Sequence, residues 1–248
     1  MIVCDEQGIL REFVVKLFTE RQMEQQHPIA KEMFGNILAR EFDLPVAEAA
    51  LVHFSNEFIS LLPEEAKKQL DGKDNGLKFG CEWRAMTIVD PSNLKSIFND
   101  YDVATVFAFD NFVLNPDRGG FRNKPNLLID DEGFLLIDHE QIFPFADDIH
   151  RNGSKIIQDF QEGIWQYQAE KHLFYPYLSN LRKNAKNGIF DTFWTYLESL
   201  NVVVLREMAH FLGDKNISIG NFALIEQYIQ KVKMNPSKFC KLLTEKIA

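Results

Sequence analysis

Residues 109–140 read FDNFVLNPDRGGFRNKPNLLIDDEGFLLIDHE. An apolar run enters an irregular loop at Asn115-Pro116-Asp117-Arg118 and leaves it through Pro125-Asn126. Two short β patterns follow, Leu127-Leu128-Ile129 and Phe134-Leu135-Leu136-Ile137. The turn residues Asp130-Asp131-Glu132-Gly133 lie between them, so the segment predicts a hairpin. Asp117, Asn126 and Asp138 then sit at element ends beside that hairpin. Phosphoryl transfer uses such a set: one carboxylate to orient or deprotonate a hydroxyl, an amide and a second carboxylate to hold Mg²⁺. Asp130 and Asp131 need no role beyond the turn. Asp138 ends an apolar strand and must reach solvent, a partner or a metal. On chemistry alone it is as readily a capped or paired carboxylate as a metal ligand.

Three runs in this stretch resemble the catalytic segment of HipA-like kinases, protein-kinase-like phosphotransferases related to phosphatidylinositol kinases. They are Asn115-Pro116-Asp117-Arg118, Lys124-Pro125-Asn126-Leu127-Leu128 and Leu136-Ile137-Asp138-His139. The resemblance implies ATP and Mg²⁺ as cofactors, Asp117 as catalytic base, and Asn126 and Asp138 as metal ligands. It also implies serine or threonine of a protein as acceptor. The wide spacing of Asp117 and Asn126 is similar to a long-loop branch of the family. Within the longer loop, Arg122 and Lys124 either touch substrate or phosphate or keep the loop solvated.

At 248 residues the chain suits one domain of two lobes sharing a cleft. A net charge of -9 argues against a general nucleic-acid binder. The three cysteines form no CxxC pair, and the chain has no apolar run of membrane-spanning length and no signal peptide. A cytoplasmic protein with reduced thiols and no membrane partner is expected. The 22 phenylalanines point to aromatic packing.

Residues 1–80 read as a small β-rich lobe. Ile2–Cys4 and Glu12–Phe18 are strand patterns around the turn Asp5-Glu6-Gln7-Gly8, and Ala49–Phe54 is a third. Lys16 alternates with Val14 and Phe18, so it is either a snorkelling edge residue or a functional cation. Val14-Val15-Lys16 resembles the family's phosphate-holding strand lysine. His27-Pro28 opens a helix to about Phe42 with an apolar stripe of Ala30, Met33, Phe34, Ile37, Leu38 and Phe42. By resemblance Glu32 is the helix partner of Lys16, yet the helical wheel places it nearly opposite the stripe and puts Glu41 within it. Pro63–Leu70 is a short helix. Lys78–Arg84, with Glu82 and Trp83, is a candidate nucleotide-binding connection between lobes, or an ordinary strand with a bulge at Gly80. Gly8 is the one glycine before Lys16, so either the first strand and the glycine-rich hairpin usual in kinases are missing or the phosphates are clamped differently.

Residues 81–248 read as a mainly helical lobe. A short helix is expected from Pro91 to Phe98, and Asp110 is expected to accept hydrogen bonds from loop backbone. His139 either orients Asp138 or packs. Apolar stripes mark helices around Ile156–Trp165, Ile189–Leu197, Val203–Leu212, Phe222–Ile229 and Phe239–Ile247. Ser218 is the expected cap of the fourth, and His150, His172 and His210 receive no role. The fold class expected is α+β, two-lobed and kinase-like. The function expected is ATP- and Mg²⁺-dependent phosphotransfer to a hydroxyl. A small-molecule or lipid kinase and a nucleotide-binding pseudokinase are the alternatives.

Overall fold

The computed structural model describes residues 1–90, 102–119, 124–131, 133–150, 152–164 and 169–248. The helix expected at Pro91–Phe98, Arg122 and Trp165 lie outside the described residues. The architecture is α+β and two-lobed in the manner of kinases. A four-stranded antiparallel sheet is followed by a mostly helical remainder.

The sheet has the order β1-β2-β4-β3, from β1 (Ile2–Cys4), β2 (Leu10–Val15), β3 (Ala49–Val52) and β4 (Lys78–Glu82). Asp5 closes the first turn by accepting from the backbone N–H of Gln7 and Ile9 at 3.0 and 2.8 Å. The second strand was expected to reach Phe18 but ends at Val15. Lys16 N–H still donates to Phe79 O at 2.9 Å, and Phe18 then leaves the sheet for the core. The third strand was expected to reach Phe54 but ends at Val52, short of a helix that opens at the N-cap Ser55.

Thr19 opens α1 (Glu20–Gln26) with a capping box to Gln22, a Thr-x-x-Gln signal the periodicity alone did not expose. His27, at φ 51°, joins α1 to α2 (Pro28–Glu41). α2 packs between β4 and α9 (Val203–Asp214), and every residue from Pro28 to Asn36 is buried. That double burial corrects the wheel: a helix covered on two sides has no solvent face, so Glu32 is buried although it lies off the apolar stripe. α3 (Asn56–Leu61) and α4 (Glu64–Leu70) complete this lobe.

A second antiparallel sheet has the order β5-β6-β7, from β5 (Thr87–Ile88), β6 (Leu127–Ile129) and β7 (Phe134–Leu136). Leu136 N–H donates to Pro45 O at 2.8 Å, tying the expected hairpin to the segment after α2. α5 (Val103–Phe112) is buried at every position. Among the described residues the remaining α-helices are α6 (Lys155–Glu162), α7 (Tyr175–Ser179), α8 (Asp191–Ser199), α9, α10 (Phe222–Lys233) and α11 (Pro236–Ile247). Phe42, Phe109, Phe112, Phe193 and Phe239 interlock at their centre, with Phe42 stacked on Phe193 at 5.0 Å. Asn221, not Ser218, caps α10 by accepting from Leu224 N–H at 3.1 Å. A cap must sit just before the first helical residue, and Ser218 lies too far upstream of Phe222. Among the described residues no helix is long and apolar enough to cross a membrane.

Candidate active site

The loop after α5 is built on a buried ionic frame. Asp110 and Arg118 are fully buried, and the Arg118 Nε–H donates to Asp110 while its Nη1–H donates to Asn126 O. His172 Nε2 lies 3.0 Å from Asp110 Oδ2, and Asn115 Nδ2–H donates to Asp110 Oδ1 at 3.0 Å. The Asp110 side chain therefore holds other side chains rather than the loop backbone expected of it. Burial alone would raise the Asp110 pKa, but Arg118 and His172 bring it down to about 2. Burial lowers the pKa of His172, which received no role from sequence spacing and here supports Asp110.

This frame closes the long loop. Gly119, at φ 93°, lies against the backbone of Leu173 and Lys171, where a side chain has no room. Its N–H donates to Lys124 O at 2.5 Å. Asp117 and Asn126 consequently meet: Asn126 Nδ2–H donates to Asp117 O at 3.1 Å and to Asp117 Oδ2 at 3.2 Å. Lys124 Nζ lies 3.7 Å from Asp117 Oδ2 and is largely exposed. Ile137 N–H donates to Asn126 O at 3.2 Å, which sets Asp138 beside this loop. Asn126 and Asp138 both adopt positive φ, 46° and 69°, a conformation that costs most residues energy and that clusters at functional sites.

A second group converges from the other lobe. Lys16 Nζ donates to Glu32 Oε1 and Asp138 Oδ1 and lies 3.2 Å from Glu140 Oε2. Burial would lower the Lys16 pKa, but Glu32, Asp138 and Glu140 together raise it above the usual lysine value. Asp138 responds in the opposite sense, held below the carboxylate range by Lys16 against the cost of burial. Burial pushes Glu32 up to about 7 despite the pull of Lys16. Glu32 Oε2 accepts the backbone N–H of His139 at 3.0 Å, so α2 grips the chain next to Asp138. The His139 ring is a packed group. Burial takes its pKa down to about 3, and it fills the space over Gly35, where a Cβ would collide with it.

Glu140 was missed by sequence reasoning. Its one sequence signal was a second carboxylate two residues past Asp138; no strand alternation links the pair, because β7 ends at Leu136 and Asp138 turns the chain at φ 69°. Glu82 pairs with Arg84 at 2.5 Å, and Trp83 is 50% exposed. Their backbone N–H groups are already bound to Glu48 O and Glu12 O, each at 2.8 Å. Neither joins the carboxylates around Lys16. On the same strand, burial and Glu32 push the Cys81 thiol upward in pKa.

The donor set fits a divalent cation of the Mg²⁺ kind, which takes hard oxygen ligands. Glu32, Asp138 and Glu140 each offer an oxygen within 4.8 Å of the others, against the single ammonium of Lys16. Glu32 uses both its oxygens on protein donors. Asp138 Oδ2 and Glu140 Oε1 accept no hydrogen bond among the described residues.

A family model described as HipA-like kinase matches residues 6–191. No curated protein and no solved structure matches the chain.

Proposed function

The chain belongs to the HipA-like kinase family, and from that premise we propose that it transfers the γ-phosphate of ATP, with Mg²⁺, to the hydroxyl of a protein serine or threonine. One observation carries this reading. A lysine just past a strand, a glutamate inside a buried helix and an aspartate after a hairpin, remote in sequence, form one ion-pair cluster. A structural salt bridge needs only two such partners. Lys16 contacts the nucleotide phosphates, and Glu32 orients it. Asp117 takes the proton of the attacking hydroxyl, and the Asn126 amide on its Oδ2 fixes which oxygen faces the acceptor. Asn126 and Asp138 would hold Mg²⁺, with Glu140, whose carboxylate lies within 4.8 Å of that of Asp138, as a further oxygen donor; the ion would supply charge neutralisation at the phosphates. Glu82 and Trp83 border the adenine through the end of β4.

The test is incubation with Mg²⁺ and γ-labelled ATP, alone and with lysate proteins, comparing wild type with Asp117→Ala. Label on protein that requires Asp117 supports a protein kinase. Label confined to small molecules or lipids supports the corresponding kinase class. ATP binding without turnover supports a nucleotide-sensing pseudokinase, and equal labelling by Asp117→Ala removes Asp117 as the base.

A further inference from the structure

Two neighbouring residues of α2 reach in different directions. Glu32 holds Lys16 and the His139 N–H, at the start of the segment that follows β7. Lys31 is buried and pairs with the buried Asp147 at the far end of that segment. At the first of these points Gly35 also admits the His139 ring, and between the two Phe143 N–H donates to Val113 O at 2.8 Å, pinning the middle to the helical lobe. Beyond them Asp148 N–H donates to Gln25 O at 3.2 Å, and His27 Nε2 lies 3.4 Å from Asp148 Oδ2. Residues 138–148 thus meet the first turns of α2 at both ends and bind the helical lobe between them.

The α1–α2 joint is His27, a single residue in the left-handed region with both ring nitrogens buried and without a hydrogen bond. α2 is attached to the preceding chain at that point, and Lys31 lies one turn beyond it. Burial lowers the Lys31 pKa and raises that of Asp147, so each charge is sustained by facing the other.

We propose that Asp147 is a positioning residue: by holding Lys31 it fixes α2 against residues 138–148 and so keeps Glu32 in register with Lys16 and His139. The inference goes one step past the kinase reading and rests on it for its catalytic consequence, but not for its geometry. Loss of the Asp147 carboxylate releases the first turns of α2. The Glu32 carboxylate then no longer meets the His139 N–H, although no atom of the Lys16 cluster has been altered.

The His139 amide proton is the reporter, because its hydrogen bond ends on Glu32 itself. Hydrogen exchange at single-residue resolution is measured on wild type, Asp147→Asn and the double variant K31M/D147N, with steady-state phosphoryl transfer in parallel. The double variant removes both buried charges, so an orphaned ammonium cannot account for its behaviour. Both variants are expected to exchange the His139 amide at least about tenfold faster than wild type, with amides of the distant α11 unchanged. Both are expected to lose more in kcat than in the KM for ATP, as befits a displaced group that acts in the transition state. Wild-type protection at His139 in either variant overturns the proposal. If the His139 amide responds but wild type transfers no phosphate, the positioning pair stands and the kinase reading falls.

Discussion

Replacing Arg118 by Met tests whether the buried frame under the loop after α5 is ionic in effect as well as in form. The substitution keeps most of the side-chain volume but removes the donors to Asp110 and to Asn126 O. Asp110 then keeps His172 and Asn115 but loses its cation, in a place with no solvent exposure. Breaking a buried pair from one side costs about 3–5 kcal/mol, a large share of the roughly 5–15 kcal/mol that holds a domain together. For a chain of this size that corresponds to a fall in Tm of about 6–20 °C, read by calorimetry at pH 7.

The pH dependence has a definite sign. In wild type the folded Asp110 pKa, about 2, lies below the usual 3.8. The difference is about 2 kcal/mol of stability, present above pH 3.8 and lost as pH falls toward 2. In Arg118→Met burial dominates and the Asp110 pKa rises, so the deficit against wild type is full at pH 7 and narrows on acidification. Asp110→Asn on the Arg118→Met background recovers part of the loss, because the buried charge is gone. A Tm within about 2 °C of wild type at pH 7, or a deficit that widens on acidification, would show that the frame does not act through charge.

Gly35→Ala drives a Cβ into the His139 ring; overpacking of this kind costs about 1–3 kcal/mol, and an unchanged Tm would deny the close approach. On the proposed reading Lys16→Met removes a phosphate contact while leaving the carboxylates, so phosphoryl transfer is expected to fall by about 10²–10³-fold while Mn²⁺ binding, followed by electron paramagnetic resonance, is expected to persist. Mg-ATP at about 100 times its Kd raises stability by about 2.7 kcal/mol in wild type, and Asp138→Ala is expected to lose most of that thermal shift.

Much of the site could be read from local pattern, because local pattern carries turn and strand chemistry. The hairpin around Asp130–Gly133, the apolar run into Asn115 and the short strand before Lys16 are each encoded by neighbours in the chain. From these alone Asp117, Asn126 and Asp138 stand out as polar groups at element ends, whereas Lys16 reads as one position inside a longer strand and its place just past β2 is a finding of the structure. What no local pattern carries is which faces become buried. Glu32 lies off the apolar stripe, and its burial follows from α2 being covered by β4 on one side and α9 on the other. Asp110 finds His172 across 62 positions of chain, and Lys31 finds Asp147 across about 116. Periodicity reports how one element divides its own surface. Pairing of charges in the interior depends on which elements are brought together, and that arises only when the chain has closed on itself.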